Sequence, residues 1–238
     1  DSKMGQKYLL KRSYLRENKN FSLLAGKKEI LFEMLAIKDL EETIACMIDV
    51  FPRAEPMTKA MGITSDEFYP FAEIYCKKAV REGLSLVARD KATGNVIGFL
   101  LSENLASEPP NGIETINEKL LPIIKLLDGL DENYKEEALE LNERNILRLF
   151  MVGVSKHYEG LNLATTLIEE NLKLARQKSY SRAIGEATSS VTQHILRDKL
   201  GFDEKFPIEY KSYTYNGKHV FKNIKNPSRC VLLEKRFY

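Results

Sequence analysis

No run of apolar residues in the sequence approaches the roughly 18 that a membrane-spanning helix needs, so no span is expected. Nor is there an excess of either charge. The 36 Lys and Arg stand against 34 Asp and Glu, a net charge of +2, which removes the electrostatic footing of a nucleic-acid binder. Cysteine is scarce: Cys46, Cys76 and Cys230 form an odd, widely spaced set that reads as reduced thiols and not as a disulfide framework. The three histidines, His157, His194 and His219, share no His-x-x-x-His spacing, and no Cys-x-x-Cys accompanies them, so no metal site is expected. Internal repeats, low-complexity tracts and linkers rich in Pro, Gly or Ser are also missing. The first twenty residues lack the apolar core and small-residue cleavage site of a secretory signal, and the expected location is cytoplasmic.

What remains is an ordinary globular composition. Apolar residues make up 43% and charged residues 29% of 238. A chain of this length buries roughly 70–75% of the surface it exposes when unfolded. It needs no disulfide or metal to stay folded. Residues 1–28 are polar and basic and read as an N-terminal arm, with a single domain over 29–238.

Periodicity gives the coarse architecture. Residues 29–36 read as a strand and 38–50 as a first helix with Leu40, Ile44, Met47 and Ile48 at helical spacing. Two prolines in FPRAEPM (51–57) argue against regular helix there. A second helix follows over 65–81, with Ser65 and Asp66 as its caps. Segments 84–89 and 96–101 flank a turn and read as a hairpin. Residues 113–140 are helical in pattern. ILRLFMVGV (146–154) is an unbroken apolar run, the mark of a strand buried on both faces. An amphipathic helix over 161–177, a strand over 181–188, a short helix over 190–199 and strands over 206–213 and 229–237 complete an α/β domain with a mixed, mostly antiparallel central sheet flanked by helices.

The stretch VSKHYEGLNLAT (154–165) carries the chemistry. A buried strand ends, a short loop with Gly160 follows, and a helix begins, so unpaired amides and the helix dipole converge where phosphate oxygens are welcome. Many strand-loop-helix joints bind nothing, and this one is neither a P-loop nor a dinucleotide fingerprint. Its order of residues, followed by an amphipathic helix, resembles the acetyl-CoA signature Arg/Gln-x-x-Gly-x-Gly/Ala of the GNAT acetyltransferases. DKLGF (198–202) is similar to a segment common in that superfamily. FPRAEPM (51–57), IKLLDGLDENY (124–134), Tyr210–Phe221 and the last strand further resemble the insect arylalkylamine N-acetyltransferases, the dopamine acetyltransferase group. The likeness runs over about residues 29–237.

The resemblance implies a GNAT fold and direct acetyl transfer from acetyl-CoA to a primary amine, in the first instance an arylalkylamine. A polyamine or other amine acceptor is the alternative, as is an acyl-CoA-binding module with little catalysis. It implies no metal, no nucleic acid and no membrane partner, and leaves the oligomeric state open. Met151, Val152, Gly153 and Val154 would pair with the amides of the cofactor. Glu159, Gly160, Leu161, Asn162, Leu163 and Ala164 would cradle its diphosphate, and Lys199 would approach the 3′-phosphate.

Two residues depart from the pattern. Asn162 stands where the family has Gly, and Asn tolerates a positive φ. Glu159 stands where the family has Arg or Gln and would repel a diphosphate, with Lys156 and His157 as nearby bases to offset it. Glu55 matches the general base of the insect enzymes, acting through water, among apolar neighbours Phe51, Pro52, Pro56 and Met57. Backbone amides near Met151–Gly153 would stabilise the oxyanion. Of two serines four residues apart in the family, Ser189 keeps the first and Gln193 occupies the second, while a tyrosine acid used elsewhere in the superfamily would fall at Arg197. Ser189 also reads as a helix cap. Tyr69, Phe71 and Tyr75 read as a core stripe or as the wall of an aryl pocket. His194 reads as a surface or packed residue, or as a proton relay.

Overall fold

The computed structural model describes residues 13–14, 21–25, 28–140 and 145–237. Their strands make one nine-stranded sheet: β1 (Ser13–Tyr14), β2 (Phe21–Ala25), β3 (Lys28–Met34), β4 (Leu86–Asp90), β5 (Val96–Asn104), β6 (Ile146–Val154), β7 (Arg182–Ala187), β8 (Asp203–Glu209) and β9 (Arg229–Arg236), in the spatial order 1-2-3-4-5-6-7-9-8. Every neighbouring pair is antiparallel except β6 and β7, which run parallel. The arm expected over 1–28 is corrected where it is described: residues 21–25 pair with β3 and belong to the sheet. The rest of that arm lies outside the described residues, apart from β1 and Lys28, the first residue of β3.

Helices α1 (Leu40–Ala54), α2 (Pro56–Ala60), α3 (Ser65–Glu82), α4 (Leu121–Glu140), α5 (Leu163–Gln177) and α6 (Ser190–Gln193) cover the sheet. One apolar cluster, with Met47, Phe68, Phe99 and Tyr134, lies under α1, α3 and α4; a second, with Leu100, Leu147, Leu167 and Leu233, lies under α5. The continuous apolar reading of β6 follows from this arrangement, since its alternate residues feed the two clusters. No helix among the described residues is long and apolar enough to cross a membrane.

Several boundaries differ from expectation for physical reasons. Pro52 does not end α1, which continues to Ala54. Proline leaves the carbonyl four residues back without its helical partner, and Ser65 Oγ donates to that carbonyl, Ile48 O, at 2.8 Å. The chain turns instead at Glu55 (φ −78°, ψ 126°), the residue that Pro56 disfavours from helix, and Pro56 then opens α2 as a first helical residue does. The expected helix 113–140 begins as two 3₁₀ turns and is α-helical only from Leu121. The helix expected to start at Leu161 starts at Leu163. Past α6 the chain widens into a π turn over His194–Lys199, with Leu200 N–H donating to Ile195 O. The strand expected at 206–213 is β8, three residues earlier.

Candidate active site

The parallel pair β6 and β7 is joined only at Ile146–Arg182, Leu147–Ala183 and Arg148–Ile184, although β6 continues to Val154 and β7 to Ala187. Beyond Arg148 the strands part. On its other side β6 stays paired with β5, with a bulge at Phe150, which faces no partner between the pairs Leu101–Met151 and Ser102–Leu149. A bulge bends its strand, and this one lies where the fork opens. In an antiparallel ladder about half of the backbone groups point away from the partner. Along 149–154 those groups therefore face the gap instead of β7.

The vertex of the fork is closed by charge. Arg148 reaches Glu186 of β7 at 2.9 Å, Glu103 of β5 at 3.0 Å and Asp131 of α4 at 2.9 Å. Burial works to discharge this guanidinium, but Glu186, Asp131 and Glu103 outweigh it and hold its pKa above the ordinary value. Burial, and then the charge of Glu186, pushes the Asp131 carboxyl well up.

A cavity of about 720 Å³ occupies the fork and continues beneath α1, α3 and α4. It is of the size that small-molecule sites have, and it lies off the carboxyl ends of the parallel strands, where open α/β sheets bind ligands. One end is bounded by the loop between β6 and α5. Gly160 (φ 78°) and Asn162 (φ 62°) both take the left-handed conformation, so Asn162 does what the missing glycine would do. The first helical bond of α5 joins Thr166 N–H to Asn162 O at 3.1 Å, which leaves the amides of Leu163, Ala164 and Thr165 at the open helix end. All three residues line the cavity, as do Met151 to Val154, Glu159, Gly160, Asn162 and Lys199. Lys199 Nζ donates to Asn162 Oδ1 at 3.0 Å. Leu161 is the loop residue that does not line it. Lys156 and His157 do not line it either; the base that meets Glu159 is Arg53, at 2.9 Å.

The other end is apolar. Phe71 and Tyr75 of α3 and Phe150 of β6 form one aromatic wall, with Tyr75 4.5 Å from Phe71 and 4.6 Å from Phe150 between ring centroids. Phe71 thus serves both as core and as cavity wall. Tyr69 is exposed and takes no part. Leu120, Ile123, Ile124, Leu127 and Asp128 line the cavity together with these rings. Burial raises the Asp128 carboxyl above the usual range.

Glu55 sits between the two ends, at the break from α1 to α2. Its carboxylate accepts from Met57 N–H (3.1 Å) through Oε1, and from Thr58 N–H and Thr58 Oγ1 (both 2.6 Å) through Oε2. Three donors thus fix it as the cap of α2 while it lines the cavity.

Ser189 caps α6, accepting from Thr192 N–H at 3.1 Å, and it lines the cavity too. Gln193 is a correction. It is buried away from the cavity, and its Nε2 donates to Ala187 O (3.1 Å) and Arg229 O (2.8 Å), tying α6 to β7 and β9. The second hydroxyl beside Ser189 belongs instead to Thr192, whose Oγ1 lies 3.0 Å from Ser189 Oγ and which lines the cavity. Sequence reasoning missed Thr192; its signal is the three-residue spacing that brings N-cap and N3 side chains together. His194 borders the cavity, more than half exposed, with Nδ1 2.8 Å from Asp198 Oδ2. Among the described residues, no three His, Cys, Asp or Glu side chains are grouped to hold a metal ion.

No protein-family model matches the sequence. The fold is nevertheless shared with solved structures. Arylalkylamine N-acetyltransferase 2 from Aedes aegypti is 24% identical, with a TM-score of 0.74 over 88% of this chain and 99% of its own. The C-terminal condensation domain of Ebony, solved with β-alanyl-dopamine, is 20% identical, with a TM-score of 0.75 over 87% and 99%. A polyamine N-acetyltransferase from Drosophila melanogaster is 15% identical, with a TM-score of 0.70 over 87% and 100%. The mixed, mostly antiparallel sheet flanked by helices matches the GNAT acetyltransferase fold.

Proposed function

We propose that this protein is an acetyl-CoA-dependent N-acetyltransferase that moves acetyl directly onto a primary amine, with an arylalkylamine as the first candidate. The observation that carries the reading is one cavity joining three features: an unpaired edge of β6 that ends at an open helix start, a fixed carboxylate at Glu55, and an aromatic wall. The orphaned guanidinium nitrogens of Arg53 beside the loop, and the free amides of α5, fit a diphosphate.

Acetyl-CoA supplies the acetyl group as a thioester. Met151–Val154 would hold its amide-bearing arm by completing the β6 ladder, and Gly160 to Thr165 with Lys199 would hold its phosphates. An alkylamine with the pKa of a lysine side chain, about 10.4, is almost all ammonium at neutral pH. Glu55, which has one acceptor site left on Oε1, takes the ammonium proton through a water. Amides of the β6 edge steady the developing oxyanion. The Ser189–Thr192 hydroxyl pair, which lines the same cavity, would supply a proton to the leaving thiolate.

A second reading rests on Asp128. A half-buried acid in a cavity with an aromatic wall suits an acceptor with a second cation, such as agmatine or a polyamine, whose charge would restore the carboxylate. Structures of an agmatine and a polyamine N-acetyltransferase share the fold. Thiol release from acetyl-CoA, measured with tyramine, dopamine, serotonin, histamine, agmatine and spermidine, decides between the readings. Turnover confined to the dicationic amines supports the second. Tight CoA binding without turnover of any amine leaves a binding module, and failure to bind CoA overturns all of them.

A further inference from the structure

We infer that Arg53 is a ligand to the cofactor diphosphate, supplied from α1 because the loop itself carries an acid; this rests on the reading of the cleft as an acetyl-CoA site. The loop between β6 and α5 presents Glu159 at its entrance, half-exposed, where a dianionic group is to lie. Arg53 Nη1 donates to Glu159 Oε1 at 2.9 Å. The other two guanidinium nitrogens, Nε and Nη2, are buried and have no hydrogen-bond partner. Arg53 lines the same cavity as the loop.

A buried charged donor without an acceptor is unfavourable, so a guanidinium in this state is poised for a further anion. Among the described residues, Glu159 is the acid that pairs with it. Glu55, two residues on, has its carboxylate engaged by Met57 and Thr58. The guanidinium is also held beside the loop by its bond to Glu159. Its planar fork offers five N–H donors and matches phosphate oxygens two at a time. Glu159 and the diphosphate then compete for one guanidinium. In the free protein Glu159 holds Arg53 against the loop; when the more highly charged diphosphate arrives, the exposed Glu159 side chain turns to solvent at little desolvation cost. The acid at the motif position thus acts as a placeholder.

The test compares binding of CoA, dephospho-CoA and pantetheine, which lacks the diphosphate, to wild type, Arg53→Gln, Arg53→Lys and Glu159→Gln by calorimetry, with NMR titration for the weak ligand. Arg53→Gln is expected to weaken CoA and dephospho-CoA by about ten- to a hundredfold while pantetheine binding stays within about twofold of wild type. Arg53→Lys, which keeps the charge without the fork, falls between and decides the matter if Arg53→Gln does not fold. Glu159→Gln tightens CoA by about threefold or more, because one repelling charge is gone. Unchanged CoA affinity in Arg53→Gln overturns the inference, and so does an equal loss for CoA and pantetheine, which marks a structural role. If wild type binds neither CoA nor dephospho-CoA, the acetyl-CoA reading fails and the inference falls with it.

Discussion

Replacing Glu55 by Gln separates the two tasks of one carboxylate. A carboxylate has four acceptor sites; Met57 N–H takes one on Oε1, and Thr58 N–H and Oγ1 take both on Oε2. One site on Oε1 remains for a proton on its way from the amine. Gln keeps a single carbonyl oxygen, which can serve the two Thr58 donors, and its NH₂ then faces Met57 N–H, donor against donor. The cap is damaged, not abolished, at a cost of about 1 kcal/mol. For a domain of this size that lowers the melting temperature by about 2–4 °C.

The chemical loss is larger. At pH 7 only about one alkylamine in 2,500 is the free base, a shortfall of about 4.6 kcal/mol at 1.36 kcal/mol per pH unit, and a general base contributes about 10²–10⁴-fold in rate. Turnover of the preferred amine is therefore expected to fall by about 10²–10⁴-fold in Glu55→Gln, with CoA affinity unchanged. Residual kcat/KM should rise about tenfold per pH unit toward the pKa of the amine, because the free base is then the only nucleophile available. Stopped-flow or thiol-release assays between pH 6 and 9, with melting curves on the same samples, measure both effects. Turnover within threefold of wild type would refute the role of Glu55, and a matching loss of CoA binding would show that the variant had disturbed the fork instead.

Three further outcomes are expected. A Cβ on Gly153 would lie 2.7 Å from two ring carbons of the fully buried Phe99 and 3.0 Å from Val50 Cγ1, so Gly153→Ala should cost about 1–3 kcal/mol and melt about 3–10 °C lower; an unchanged melting temperature would contradict the packing. Asp131, whose carboxyl is raised in the folded state by burial and by Glu186, favours folding fully below the unfolded carboxyl pKa of about 3.9 and loses that contribution as pH rises toward the raised value. Asp131→Asn should thus gain stability relative to wild type from about pH 5 upward, and parallel urea midpoints across pH would count against it. Asp128→Asn should raise KM for agmatine by about tenfold and leave tyramine unaffected; equal effects on both amines would remove Asp128 from acceptor choice.

Much of this was legible along the chain, and the exceptions share a cause. The apolar run of β6 and the helix face of α5 announce themselves because each reports only its own burial. Asn162 was legible as a left-handed residue because that tolerance is intrinsic to its side chain. Pro52 was misread because the partner that releases it, Ser65, belongs to the next long helix. The family's four-residue serine spacing led to Gln193, but its side chain is spent on the backbone of β7 and β9, and the cavity receives Thr192 instead. The bulge at Phe150 is a mismatch with β5 and has no local signal. Arg53 and Glu159 are 106 residues apart, so Glu159 reads as a defect of the loop until the fold brings Arg53 to it.

The fork between β6 and β7 has a thermodynamic side as well. Three residue pairs hold two blocks of strands together, β1–β6 and β7–β9. A ligand that lies along the free edge of β6 would act as a short tenth strand, so the integrity of the sheet becomes a function of how much ligand is present. At a hundred times its dissociation constant such a ligand adds about 2.7 kcal/mol to folding, a sizeable share of what holds an ordinary domain together. The abundance of the folded protein would then follow the supply of that ligand, with the sheet itself as the sensor.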